Sequence, residues 1–247
     1  TILFIGFVQF FVKLSEWIIK DKKEVKKTSY LDERFILTPG IAINQAIKET
    51  VLLGELAMNT LDLAITKFID RNILSEEEIK EKISDIEIIN REIITFLVKV
   101  SAQDVTMEDE KTISALHHSL NDFIREAEIA DNMLKYTRSA INNNIEFSDS
   151  VYESIKKLQQ MLKEQFANVK KIMLDADYSL LDNVKSLEDE IDNMRNQLIN
   201  SHIKRLEEGK CKPQSSGIFI NLISNLERAG DHLDYIANTM ANLFVKL

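Results

Sequence analysis

Glu227, Asp231 and Asp234 stand at i, i+4 and i+7 in the segment Asn225-Leu226-Glu227-Arg228-Ala229-Gly230-Asp231-His232-Leu233-Asp234, so a helix here carries three carboxylates on one face. Like charges at that spacing repel by a few tenths of a kcal/mol per pair, and a cation between them reverses the sign. Carboxylate oxygens suit hard or borderline ions such as Mg, Mn and Fe. Gly230 inside a helix costs about 1 kcal/mol relative to Ala, which makes sense where another backbone or a ligand approaches closely. Glu188 and Asp192 form a second i, i+4 acid pair on the preceding helix, which must run antiparallel to this one across a short linker. Facing carboxylate pairs on adjacent helices are how helical bundles build metal sites. The register is imperfect: the pairs lie about 18 residues before the linker and about 12 after it, a mismatch of ~9 Å along a helix. The ordinary alternative for an isolated acid pair is a solvated face with Lys partners.

The other chemistry-bearing residues narrow the choice. His232 lies about 100° round the helix from Asp231, which makes it a partner that supports the ligands from behind or an interhelix partner rather than a ligand on the same face. His117, His118 and His202 lack the Glu-x-x-His companion of di-iron bundles, which weakens a metal-oxidase reading. Phosphate-binding glycine loops, GxSxG and HExxH are absent, and Cys211, the single cysteine, sits in a linker without a base. The expectation is a protein that is not an enzyme.

Composition agrees with a helical frame for these acids. The chain has 247 residues, 45% hydrophobic and 29% charged, with only 6 Gly, 2 Pro and 7% aromatics. A β sandwich or barrel needs a turn every ~8–12 residues and would use more Gly and Pro. The net charge of −9 has the wrong sign for a chain that tracks nucleic-acid phosphates, so no nucleic-acid partner is expected. One cysteine forms no intramolecular disulfide, which fits a reducing compartment.

Thr38-Pro39 reads as an N-cap followed by a first-turn proline, and apolar residues recur at three and four from there onward. Ser75 with Glu78 and Ser150 with Glu153 match the capping box, and Thr106 with Asp109 and Ser179 with Asp182 are weaker versions. The pattern predicts six long helices over 39–70, 75–104, 107–143, 150–176, 179–208 and 217–245, with Gly209 closing the fifth and Pro213 barring its continuation. Sliding the chain by 103 residues places Arg125 on Arg228, Glu128 on Asp231 and Asp131 on Asp234, which makes the six helices a repeat of three. Before them, residues 2–12 are almost all apolar but too short to span a bilayer, and Lys20, Lys22, Lys23, Lys26 and Lys27 follow. The expectation is a chain that begins inside a membrane helix, with the rest on the cytoplasmic side, and the alternative is a buried N-terminal helix with a solvated lysine linker.

Two stretches resemble the PhoU-like domain at the C-terminal end of bacterial sodium/phosphate cotransporters. One is Tyr30-Leu31-Asp32-Glu33-Arg34-Phe35, followed by Thr38-Pro39 and Ile41-Ala42-Ile43-Asn44-Gln45-Ala46. The other runs from His202-Ile203-Lys204-Arg205-Leu206 through Gly209, Cys211 and Pro213 into Asn225-Leu226-Glu227-Arg228-Ala229-Gly230-Asp231-His232. The resemblance implies an all-α fold of two tandem three-helix bundles related by a pseudo-twofold, preceded by the end of a membrane helix. The corresponding division is 1–27 for the membrane end and basic linker, 28–146 for the first bundle and 147–247 for the second. It further implies a metal-binding regulatory domain modulating sodium-dependent phosphate uptake, on the cytoplasmic face of the inner membrane. Its partners would be the membrane half of the same transporter, sodium and phosphate through that half, and in one arrangement a second copy in a homodimer. The implied metals are divalent or trivalent, iron above all and multinuclear in some members, with Mg, Mn or Zn as alternatives.

The first half departs from the family's acid pattern. The 103-residue shift pairs Glu227 and Asp231 with Ile124 and Glu128, and Glu188 and Asp192 with Asp85 and Ile89. Asp85, Glu128 and Asp131 are thus the first-half candidates, enough for a weaker site or none. Tyr235 also stands where the family usually has asparagine. Three alternatives remain open at this point: a free-standing PhoU-like phosphate-signalling adaptor, a metal-storage or oxidase bundle, and a purely structural helical scaffold that binds no metal.

Overall fold

The computed structural model describes residues 28–242 apart from 75, 210 and 212; the apolar run at 2–12, the lysines up to Lys27 and the Ser75 cap lie outside the described residues. Six long helices carry the fold: α1 (Pro39–Ile69), α2 (Glu76–Ser101), α3 (Met107–Asn142), α4 (Asp149–Asp175), α5 (Leu181–Glu207) and α6 (Pro213–Ala241). Two single 3-10 turns, Glu33–Phe35 and Tyr178–Leu180, complete the list, and no strand occurs among the described residues. Pro39 opens α1 behind Thr38 as expected. Thr106 and Asp109 close a full reciprocal capping box on α3, stronger than their sequence suggested, because the Asp109 carboxylate reaches back to the Thr106 amide at 3.0 Å.

Helix α2 ends at Ser101 rather than 104, and three helix starts also differ from expectation. Helix α4 starts behind Ser148, and Ser150 spends its hydroxyl on Ser148 at 2.9 Å instead of facing Glu153. Ser179 falls inside a 3-10 turn and bonds Asp177, so α5 starts at Leu181 rather than 179. Pro213 begins α6 instead of delaying it, since a first-turn residue needs no amide hydrogen. That last shift removes the register mismatch: Asp192 stands 15 residues before Glu207, and Glu227 stands 14 after Pro213.

Helices α1, α3, α4 and α6 form the inner layer. Outside it, α2 packs on α1 and α3, and α5 packs on α4 and α6. One apolar cluster runs through both halves, from Ala42 to Met240. On α2 the buried residues are Ile79, Ile86, Ile93 and Val100 at heptad spacing, joined near its end by Phe96 and Leu97, a narrow stripe that suits a flanking helix. The seam between the halves is polar in places. Antiparallel α3 and α6 are tied by the Asn225 side chain, which takes an amide hydrogen from Asn132 at 3.3 Å and donates to the Tyr136 hydroxyl at 3.0 Å. Antiparallel α1 and α4 are tied by Gln159 and Lys163, both reaching Asp62.

The stretch before α1 is fastened to it. The Tyr30 amide donates to the buried Glu49 carboxylate at 2.7 Å, and the Asp32 amide to Gln45 at 3.2 Å. Arg34 folds back on Asp32 at 2.9 Å, and Lys99 of α2 pairs with Glu33. Each charged residue of the Tyr30-to-Arg34 motif therefore has a structural partner.

Gly54 sets the spacing of α1 and α3. A Cβ at that position would lie 2.6 Å from Cζ of Phe123, a fully buried ring held edge-on against Phe166 at 6.0 Å. Overpacking of this kind costs about 1–3 kcal/mol, which outweighs the helix propensity that Ala adds. Gly54→Ala should thus lower the melting temperature, by roughly 2–4 °C for each kcal/mol lost in a chain of this size. Gly217→Ala, where nothing lies within 4 Å, should leave it unchanged or raise it. A Gly54→Ala variant as stable as Gly217→Ala would show that the Phe123 ring has room to move.

Candidate metal centre

Gly230 fixes the site. A Cβ there would meet Cδ1 of Ile191 at 3.1 Å, so its absence is what lets α5 settle on α6. Buried Gln165 of α4 pins the same point by donating to the Gly230 carbonyl at 3.0 Å. The close approach inferred from the mid-helix glycine is thus made by a neighbouring isoleucine. Glu227 and Asp231 stand three before and one after Gly230, and Glu188 and Asp192 stand three before and one after Ile191. Equal offsets on two antiparallel helices fall on the same flank of their contact. Both acid pairs therefore face one strip of surface, with Asp234 one turn further along α6.

Electrostatics records the convergence. Burial, followed by the charge of Glu188, pushes the Asp231 carboxyl above its ordinary range, with Asp192 and Asp234 adding to the shift. Glu227 is raised by burial, then by Asp231, against the pull of Arg195. Asp234 is raised by burial and by Glu188, with Lys185 opposing. The Asp234 Oδ1 atom is buried without a hydrogen-bond partner. Lys185 lies at one end of the strip, paired with Glu188 and, at 3.0 Å, with Asp189; Asn196 holds Asp192 at 3.3 Å. In this arrangement no three His, Cys, Asp or Glu side chains among the described residues converge tightly enough to hold one ion. The donor set is all oxygen, with one buried orphan acceptor, the kind of set that suits a hard multivalent cation.

The first-half candidates are differently engaged. Glu128 is exposed and bonded to Arg125 at 2.6 Å, and Asp131 is bonded to Lys135 at 2.7 Å, each within α3. Ile124 and Ile89, which stand where the second half has Glu227 and Asp192, pack against the core. Asp85 is half-buried on α2. Tyr235 points outward, 63% exposed, and takes no part in the acid strip.

His232 turns away from the strip and meets Asp122 of α3, Nδ1 to Oδ1, at 3.0 Å, the interhelix role its angle implied. Beside them is a residue the sequence reading passed over. Glu126 is completely buried, both its carboxylate oxygens lack partners, and burial followed by the Asp122 charge pushes its carboxyl well above the ordinary range. The available signal was its phase: Glu126 falls between Phe123 and Ala130 on the apolar face of α3.

Comparison with known proteins adds the following. Residues 155–240, which hold all five acids of the strip, match the PhoU domain family. In structure the chain is similar to the crystal structure of PhoU from Pseudomonas aeruginosa, with a TM-score of 0.74 and 17% identity, over 82% of this chain and 97% of that one. No curated protein matches the chain in sequence. At that identity the structural likeness is one of fold: the described residues form an all-helical, PhoU-like fold, and the stretch 155–240 in the second half is similar to the PhoU domain family.

Proposed function

We propose that the chain is a non-enzymatic regulator of phosphate uptake that binds a hard multivalent cation along the α5–α6 acid strip. The observation that carries this reading is coincidence: the PhoU match spans the same residues that Gly230 gathers into one strip. Glu227, Asp231 and Asp234 would be the principal ligands, joined by Glu188 and Asp192, and iron, Mn or Mg would suit the oxygen set. The cation would cancel the mutual repulsion of these groups and so couple metal supply to the packing of α5 on α6. The regulated partner, on the reading from the Tyr30-to-Arg34 junction, is the membrane half of a sodium-coupled phosphate transporter, with this domain at the cytoplasmic face. The free-standing regulator fits at least as well, since the likeness extends over 97% of a solved PhoU. No helix among the described residues is long and apolar enough to cross a membrane. Spanning segments in the upstream reading frame would decide for the transporter. Uptake of labelled phosphate should differ between cells carrying the parent chain and cells carrying the double variant Glu227→Gln with Asp231→Asn; identical uptake would exclude the regulatory role of the strip.

Metal content should follow the same asymmetry. In elemental analysis that double variant should lose most bound metal, while Glu128→Gln should lose little. A metal at a hundredfold excess over its dissociation constant stabilises by about 2.7 kcal/mol, and that rise in melting temperature should vanish with the double variant only. Equal loss in both variants would refute the second-half site.

The metal-free chain should also show the repulsion directly. Glu227, Asp231 and Asp234 hold protons more tightly folded than unfolded, so they withdraw stability as pH rises from the ordinary carboxylate range through their raised values. After chelation, Asp231→Asn should melt higher than the parent at pH 7, and the difference should shrink toward pH 4. A variant that melts lower at pH 7 would mean that Asp231 has a stabilising partner.

A further inference from the structure

The acid strip leaves the motif residues His202, Arg205 and Cys211 without a role. They come together elsewhere, around the turn from α5 to α6, and this turn faces the turn from α3 to α4 across a cavity of about 690 Å3. Arg205 lines the cavity and, among the described residues, makes no ion pair, whereas Glu146 on the wall is already bonded to Arg71 at 2.8 Å. His202 is 2% exposed, stacks on Phe219 at 4.5 Å and shares a hydrogen bond with Ser216 at 3.0 Å. Burial, then the nearby Arg205 charge, holds its imidazole below the usual range, which leaves Arg205 as the cation among the described residues that line the cavity. Helices α4 and α6 both begin on this cavity, at Ser148 and Gln214, and Ser148 spends its hydroxyl on Ser150 instead of capping α4. Their N-terminal ends add partial positive charge to that of Arg205. Phe147 supplies an apolar wall, braced by Phe68, Tyr152 and Phe219.

We propose that this cavity binds a small phosphate-bearing organic molecule of nucleotide size, with Arg205 taking the phosphate and Phe147 packing against the organic part. The guanidinium fork matches two phosphate oxygens, and an arginine without a protein counter-charge is free to use it. The volume lies in the range of sites for small organic ligands and far exceeds a bare phosphate ion. No residue of the acid strip lines it, so the inference stands or falls independently of the metal.

Cys211 provides the readout, because it is the sole cysteine and lies on the cavity wall. Adenosine diphosphate should slow alkylation of Cys211 by iodoacetamide in the full chain, saturably, and inorganic phosphate should do so at least tenfold more weakly. Arg205→Gln should weaken the protection by tenfold or more, and Lys204→Gln should not. Gln214→Glu places a carboxylate at the exposed start of α6, where it favours the helix; it should weaken protection similarly without lowering the melting temperature, so misfolding is not the explanation. Absence of protection by either probe at millimolar concentration would overturn the proposal, as would full protection in Arg205→Gln. Equal protection by inorganic phosphate and the nucleotide would overturn the role assigned to Phe147.

Discussion

The second half of this molecule is organised by a hydrogen atom where a side chain would be. Because Gly230 carries no Cβ, Ile191 reaches the α6 backbone, and that approach sets the register of α5 on α6. Helical periodicity then distributes everything else. Residues three before and one after each contact residue turn to the same flank, and in both helices those residues are acids. Gln165 secures the point from the third side by occupying the Gly230 carbonyl. Packing energy is thus used to hold like charges together, an arrangement that water alone would disperse.

The two halves show how little separates a site from a core. Exchange of one acid for isoleucine in each pair gives Ile89 and Ile124, and both pack inward. Of the acids that remain in the first half, Glu128 and Asp131 find arginine and lysine on their own helix. The carboxylates of the second half have fewer such partners, and Lys185 serves only one end of the strip.

Much of this was legible in the sequence. Helix number and identity follow from apolar spacing and caps, and the acid strip follows from i, i+4 arithmetic on two helices. Boundaries were read less well where one residue type serves two purposes. Pro213 both stops a helix and starts one, and only the neighbouring turn determines which; serines at 148 and 150 are equally good caps until the chain direction is known. The 18-against-12 register problem was a consequence of reading Pro213 as a stop. Glu126 was missed because a charged residue on an apolar face reads as a break in the pattern. The cavity at Arg205 joins two turns about 60 residues apart in sequence, and no local periodicity reports such a meeting.

Helix α1 has 31 residues and is therefore a strut of about 46 Å. Its first turns hold the strap through Gln45 and Glu49, and near its last turn Phe68 leans on Phe147, the aromatic wall of the cavity. A rod clamped at both ends fixes the separation of what it clamps. The stretch from Tyr30 to Arg34 and the aromatic wall at Phe147 are thus held toward opposite ends of one continuous hydrogen-bonded cylinder.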